Sequence, residues 1–286
     1  MTADLPIDVI RSMPELEAVR ERIGDRIAFE HLLCERLADR EWWTLHGVCQ
    51  VCSRAVDFGG DWISSWSSPA GRVLSFRERV ICPYCKLISR QRFMAQLLLG
   101  DARRLPSPAP TFLYEQVTPF FFWAERELPG LVIGSEYLGP DVPGGAIVDG
   151  LRHEDALALS FEDASLGAVV SNDVFEHVPD IDRSLAECAR VLAPGGRLYF
   201  SVPFAGKEDT VQRAVVRDGE LVHIEPADYH ENPIDAHGSL VFYDHGLDIL
   251  ARCRRAGFAD AYALGYWSLL YGYLGEGLQV MFVGER

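Results

Sequence analysis

Four cysteines and a scattered set of carboxylates and histidines are the residues of this chain whose types and spacing could do chemistry. Cys49 with Cys52 and Cys82 with Cys85 form two Cys-x-x-Cys pairs separated by 29 residues. Each short loop lets two thiolates converge on one ion, and four thiolates fill a tetrahedral shell. The spacing is therefore that of a structural zinc site, with no position left for water or substrate. Two alternatives stand beside it. A redox dithiol would account for one pair and leave the other unexplained, and disulfides are rare in chains kept in a reducing compartment. The start MTADLPIDVI has neither the basic flank nor the apolar core of an export signal. Cys34, Cys188 and Cys253 fall on apolar helical faces and read as core residues.

A second group of polar residues lies further along. The stretch Gly167 to Phe204, GAVVSNDVFEHVPDIDRSLAECARVLAPGGRLYFSVPF, reads as one strand, helix, strand unit. Gly167 to Ser171 is short, apolar and β-branched, as expected of a strand buried on both faces of a parallel sheet. Asn172 and Asp173 follow at its carboxyl end, where open α/β sheets bind their ligands. Asp180 is a candidate N-cap, and Ile181, Leu185, Cys188, Val191 and Leu192 have helical spacing with one buried face. Pro194, Gly195 and Gly196 are expected to stop that helix, and Arg197 to Val202 to form the next strand. Upstream, Thr111 to Tyr114 predicts a first strand. Thr118 is the expected N-cap of the next helix, with Pro119 at its first position. Leu131 to Ser135 predicts a second strand that ends at Glu136.

At this spacing, DVFEHVPD and LAPGGRL together resemble the second half of a class I S-adenosylmethionine-dependent methyltransferase. RERVICPYCKLISRQR likewise resembles a segment of bacterial methyltransferases that carry an N-terminal zinc ribbon. The resemblance covers roughly residues 77 to 286. It implies an α/β fold with a doubly wound sheet of seven strands, the last pair antiparallel, and S-adenosylmethionine as methyl donor. A glycine-rich turn follows the first strand in that family, whereas this chain has EQVTPFFFW there. Glu115, Gln116 and Thr118 are accordingly expected to rebuild the turn at the methionine end of the cofactor. Glu136, 21 residues beyond Glu115, is the carboxylate expected to accept the ribose hydroxyls. Tyr137 then stacks beside the adenine. RHEDALALSFEDASLGAVV resembles the family's next acidic stretch, which puts Asp155 at the adenine amino group with Ala156 beside it. Glu154, Ser160 and Gly167 depart from that pattern. Asn172 and Asp173 complete the implied cofactor set.

The acceptor side falls to an insertion between Pro203 and Gly246, and loops this long are usually functional. It holds His223, His230, His237 and His245, with Tyr229 and Tyr243, and its PADYHENP resembles a segment of the zinc-ribbon methyltransferases. No two of these histidines have i, i+4 spacing with a nearby carboxylate, so no metal is expected among them. Methyl transfer to an alcohol or amine needs a base near neutral pKa, and histidine is the usual choice. His230 is the first candidate, with His177 and Asp173 next. Tyr229 and His230 are expected to touch the acceptor. Arg90 and Arg92 read either as ordinary ion-paired residues at a helix start or as a clamp on an anionic acceptor group, a role that suits the planar guanidinium. At the end of the chain, Asp244 to Ala256 predicts a helix. RRAGFADAYALGYW and LQVMFVGER predict the last two strands, with SLLYGYLGEG as the hairpin connection.

The 286 residues are 48% hydrophobic, enough for a sizeable core, and no apolar run approaches the roughly 20 residues of a membrane span. The net charge of −15 divides into +1 over residues 1–110 and −16 over residues 111–286. Nucleic-acid affinity comes largely from cationic neutralisation of phosphates, so the acidic second part argues against a nucleic-acid partner. The expected chain is cytoplasmic and off the membrane. It comprises a helical segment over 1–46, a zinc-ribbon module with its following helix over 47–104, and a methyltransferase domain over 111–286. Residues 13–43 read as an amphipathic helix that packs against the ribbon or a second subunit of a homodimer. LPSPAP, from Leu105 to Pro110, is the expected stiff linker. The expected reaction is S-adenosylmethionine-dependent methyl transfer to a small-molecule or glycan-type acceptor. A ribosomal RNA methyltransferase and a non-catalytic scaffold with a decayed cofactor pocket are the rivals.

Overall fold

A computed structural model describes residues 5–68, 71–102, 109–275 and 277–286. Most of the expected linker, Leu105 to Pro108, lies outside the described residues. The chain forms two compact units, residues 1–106 with 264–281, and residues 107–263 with 282–286. No helix among the described residues is long and apolar enough to cross a membrane.

The main sheet is mixed and has seven strands, in the order Ile7–Ile10, Asp260–Tyr266, Gln279–Glu285, Leu192–Ser201, Leu166–Asn172, Thr111–Leu113, Val132–Gly134. Leu166–Asn172 pairs in parallel with Leu192–Ser201 on one side and Thr111–Leu113 on the other, and Val132–Gly134 extends the parallel run. Its first six residues are all buried, as a strand covered on both faces requires. Gln279–Glu285 runs antiparallel to Leu192–Ser201. The seventh strand, however, is Ile7–Ile10 from the beginning of the chain and not a product of the 111–286 segment.

Local signals fixed both helices that flank the parallel strands. Pro119–Glu127 starts on Thr118, whose Oγ1 accepts from the Phe121 N–H at 3.2 Å. Ile181–Val191 starts on Asp180, which accepts from the Arg183 N–H at 3.0 Å, and it buries Ile181, Leu185, Cys188 and Val191. The strand after it begins earlier than expected, at Leu192, because Leu192 already pairs with Leu166. Pro194, Gly195 and Gly196 then form a bulge before Arg197 rejoins the ladder opposite Ala168, with Gly195 at φ +81.

The insertion is not a bare loop. It folds as three short antiparallel ladders, Val211–Gln212 with Tyr243–Asp244, Ala214–Arg217 with Glu220–His223, and Tyr229–His230 with Ser239–Leu240. Because Tyr243–Asp244 is used as strand, the last helix covers only Ile249–Ala256 and not the expected span from Asp244. It ends on Gly257 in the left-handed conformation.

In the first unit the single helix expected over 13–43 is two helices, Met13–Arg22 and Gly24–Leu37, broken where Ile23 leaves helical geometry. Trp43 instead opens the strand Trp43–Cys49, which pairs with Arg54–Gly60. The segment 268–277, expected to be a plain hairpin connection, is built into this unit's core. Glu30 is buried there and accepts from Trp267 Nε1 at 2.6 Å and the Gly275 N–H at 2.9 Å. Arg92 is 0% exposed, lies over the Phe58 ring at 4.1 Å, and donates to the carbonyls of Tyr271 at 2.6 Å, Gly272 at 2.7 Å and Val80 at 3.3 Å.

Removing that guanidinium leaves buried carbonyls without donors. Arg92→Met should therefore lower the stability of this unit by on the order of 3 to 5 kcal/mol, read as a shifted midpoint in urea denaturation.

Candidate functional site

Within the second unit, the carboxyl ends of the adjacent parallel strands gather most of the polar residues singled out in the sequence. Glu115 follows Thr111–Leu113 and is buried. Its Oε1 accepts from Asn172 Nδ2 at 2.5 Å, which ties it to the end of the central strand, and its Oε2 accepts from the Thr118 hydroxyl. Asn172 Oδ1 is buried and has no hydrogen-bond partner among the described residues. Asp173, next in the chain, holds φ +52, a left-handed conformation that Asp tolerates better than most residues. Its Oδ1 accepts from Ser201 Oγ at 2.7 Å.

Glu136 stands beyond Val132–Gly134, and its Oε1 accepts from the Gln116 N–H at 2.7 Å and the Val117 N–H at 3.2 Å. Burial pushes its pKa above the ordinary carboxylate value, against the pull of those two amides. Gln116 spans the turn: its side chain donates to the Gly150 carbonyl at 3.1 Å and accepts from the Arg152 N–H at 2.8 Å. Gly134 has to be glycine, because a Cβ there would sit 2.4 Å from the Phe121 ring and 2.8 Å from the Glu115 carbonyl. Tyr137 is exposed, and the charge of Asp155 is among the causes that raise its pKa, after burial. Asp155 closes its own turn by accepting from the Leu157 N–H at 2.8 Å, with Ala156 half-buried between them. The turn after Thr111–Leu113 is thus held by a carboxylate, with Glu136 binding backbone amides that follow Glu115.

The acceptor-side histidines divide. His223 and His237 are exposed, and His245 is buried and stacked on Tyr243 with ring centroids 5.5 Å apart. Only His230 meets His177, with ring centroids 5.0 Å apart at 88°. The ladder that carries His230 is held by the loop after the central strand: the Phe242 N–H donates to the Glu176 carbonyl at 2.7 Å, and His177 Nδ1 donates to the Leu240 carbonyl at 2.9 Å. Between the two imidazoles lies a residue the sequence reading passed over, Glu176. Its side chain is 1% exposed, and neither carboxylate oxygen has a hydrogen-bond partner among the described residues. Glu176 Oε1 lies 3.7 Å from His177 Nε2 and 3.7 Å from His230 Nδ1. Burial raises the Glu176 pKa, and Glu176 in turn raises that of His230. Glu176, His177 and His230 have ligand atoms within 4.8 Å of one another, a group that joins one histidine of the insertion to two residues outside it. The DVFEHV motif carried the signal for Glu176, but only the long-range pairing of Tyr229–His230 completes the group.

In the first unit, Cys49, Cys52, Cys82 and Cys85 converge, with all four sulfurs within 4.8 Å of one another. The two knuckles share a geometry. Ser53 after Cys52 has φ +54 and Lys86 after Cys85 has φ +66, each turning the chain back sharply. The reading of Arg90 and Arg92 as an acceptor clamp is corrected here. Arg92 is committed to backbone carbonyls in the core, and Arg90 Nε donates to Glu78 at 2.9 and 3.2 Å. Both groups are spent on internal partners of the first unit.

Residues 141–200 match the model of a family described as a methyltransferase domain. That stretch contains Asp155, Ala156, Asn172, Asp173, Glu176 and His177. Over 57 residues the chain is 47% identical to a malonyl-[acyl-carrier protein] O-methyltransferase of Methylococcus capsulatus, covering 20% of this chain and 21% of that one. Over 71 residues it is 41% identical to an arsenite methyltransferase of Aquipseudomonas alcaligenes, covering 24% of this chain and 20% of the relative. The chain thus spans about a fifth of the length of the curated relatives it matches. Among solved structures, a S-adenosylmethionine dependent methyltransferase from Mesorhizobium loti aligns at 16% identity with a TM-score of 0.39, covering 66% of this chain and 96% of that chain.

The buried His245 generates a test of this packing. Burial lowers its pKa to about 4 from 6.5. The unfolded chain takes up the proton as pH falls below about 6.5, and the folded chain does so only near 4, so stability present above 6.5 is lost between those values. The loss should be on the order of 3 kcal/mol, and in thermal melts His245→Phe should flatten the difference between pH 7 and pH 4.5.

Proposed function

We propose that this chain is an S-adenosylmethionine-dependent methyltransferase that acts on a small-molecule or glycan-type acceptor. The observation that carries the reading is the convergence of Glu115, Gln116, Thr118, Glu136, Asn172 and Asp173 at the carboxyl ends of adjacent parallel strands. The methyltransferase-domain match over 141–200 supports it. The buried, unpartnered Asn172 Oδ1 fits a missing polar ligand at that end of the sheet. Glu136 keeps Oε2 for the ribose hydroxyls, Tyr137 offers its exposed ring to the adenine, and Asp155 with Ala156 faces the adenine amino group. Glu115, Gln116 and Thr118 stand toward the methionine end. When bound, the cofactor supplies an electrophilic methyl group on a sulfonium. The chain's task is then alignment, which can supply roughly 7 to 11 kcal/mol of the barrier. On the acceptor side, Tyr229 is exposed for contact, and His230, with His177 and Asp173 behind it, is the group through which a hydroxyl or amine loses its proton.

Calorimetric titration with S-adenosylmethionine and S-adenosylhomocysteine tests the cofactor reading. Glu136→Ala should weaken both by about 1.5 to 3 kcal/mol, the scale of hydrogen bonds to a charged group, and Asp155→Ala should weaken them too. A folded wild-type chain with no affinity for either would favour the scaffold with a decayed pocket.

The four cysteines are proposed to hold a structural zinc. Cys49 Sγ lies 3.9 Å from Cys85 Sγ, and Cys52 Sγ lies 3.8 Å from Cys82 Sγ. Sulfurs about 2.3 Å from a tetrahedral zinc are spaced at about that distance. Elemental analysis should find zinc in the purified chain, and Cys82→Ser should release it and destabilise the first unit. Four freely titratable thiols in a metal-free protein would sink this assignment.

A further inference from the structure

Glu176 is the unexplained group in the second unit. A carboxylate taken out of water normally finds donors, since desolvation without them is expensive. Here both oxygens lack a hydrogen-bond partner among the described residues, while the side chain is 1% exposed. What faces one of them, Oε1, is a pair of imidazole nitrogens, each 3.7 Å away. That separation is too long for a hydrogen bond and about right for two ligands of one ion, each about 2.0 to 2.2 Å from it.

The tautomer of His177 points the same way. Its Nδ1 faces the Leu240 carbonyl at 2.9 Å and must carry the proton, because a carbonyl oxygen can only accept. In the neutral imidazole the lone pair is then on Nε2, the nitrogen directed at Glu176. An imidazole that donates one N–H to a backbone carbonyl and turns its other nitrogen inward has the outer-shell arrangement typical of a metal ligand.

We propose that Glu176, His177 Nε2 and His230 Nδ1 bind a divalent first-row transition ion, distinct from any ion at the cysteines. Two imidazoles and a carboxylate suit such ions, and three protein ligands leave a coordination position open. The open side is that of His230, whose side chain is 38% exposed while Glu176 closes the other side. The ion would take an acceptor oxygen there and acidify it, so that His230 serves the loss of the acceptor proton as the ion's ligand and not as the base itself. This last role rests on the acceptor side proposed above, whereas ion binding is measured without any methyl donor.

The experiment is a titration of the full purified chain with Co²⁺, followed by absorbance and by calorimetry. Imidazole and carboxylate ligation gives ligand-field bands without the intense thiolate charge-transfer that ion uptake at the cysteines would show. We expect one Co²⁺ per chain with the first signature. Glu176→Gln and His177→Ala should each raise its dissociation constant by at least roughly 10²-fold, more than the loss of an outer-shell partner usually does. His237→Ala, an exposed histidine of the same insertion, should leave it unchanged. His230→Ala serves as the variant least exposed to folding failure, because its side chain is only part-buried, and it should lose Co²⁺ while keeping the wild-type affinity for S-adenosylhomocysteine. Absence of a thiolate-free Co²⁺ signature, or binding indifferent to both Glu176→Gln and His230→Ala, would overturn the site. Loss of S-adenosylhomocysteine binding in the wild-type chain would instead strike the cofactor reading and leave the ion measurement standing.

Discussion

Charge that is removed from water must be answered by groups at fixed positions, and this constraint organises both units. In the first, Glu30 collects the Trp267 indole and the Gly275 amide, and Arg92 collects the carbonyls of Tyr271 and Gly272. In the second, Glu115 joins Asn172 to Thr118, and Glu154 joins Arg152 to Ser160, whose hydroxyl it accepts at 2.6 Å. Each pairing bridges segments distant in sequence or pins a turn. Breaking one partner leaves an uncompensated buried charge, so such contacts specify an arrangement more strongly than they stabilise it. Glu176 stands apart only in that its answering groups are two imidazoles at a distance that suggests something between them.

The same logic explains the turn without glycines. A glycine-rich turn lets backbone amides approach a ligand closely. Here the amides of Gln116 and Val117 are held by Glu136, and the helix starts at once on Thr118 and Pro119. A carboxylate from the neighbouring strand thus does locally what backbone freedom would otherwise have to do, and it couples the ends of two strands into one rigid edge.

Elements set by short-range signals were legible in the sequence. The apolar run at the start of Leu166–Asn172, the Asp180 and Thr118 caps and the Cys-x-x-Cys spacing each have a cause within a few residues. The polar convergence at Glu115, Glu136 and Asn172 was legible as well, because strand ends fix where such residues gather. What stayed hidden depends on pairing across long separations. Nothing near Arg92 announces that its acceptors lie at Tyr271 and Gly272, and a Ser-Arg-Gln-Arg helix start reads equally well as surface. His230 reaches Glu176 only because Phe242 and Leu240 bond the loop at 176–177. Ile7–Ile10 looks like any short amphipathic stretch until a sheet edge is available to it.

The first unit closes on residues 264–281, and that has a bearing on how the chain comes into being. During synthesis the cysteine knuckles, the helix pair and Arg92 all emerge well before the carbonyls that receive Arg92 and the amide and indole that receive Glu30. Until then the unit carries two buried charges without their counterparts. A ribosome paused anywhere before Leu264 therefore displays an unfinished module, and the emergence of residues 264–281, not the appearance of the second Cys-x-x-Cys, sets the earliest moment at which it can become native.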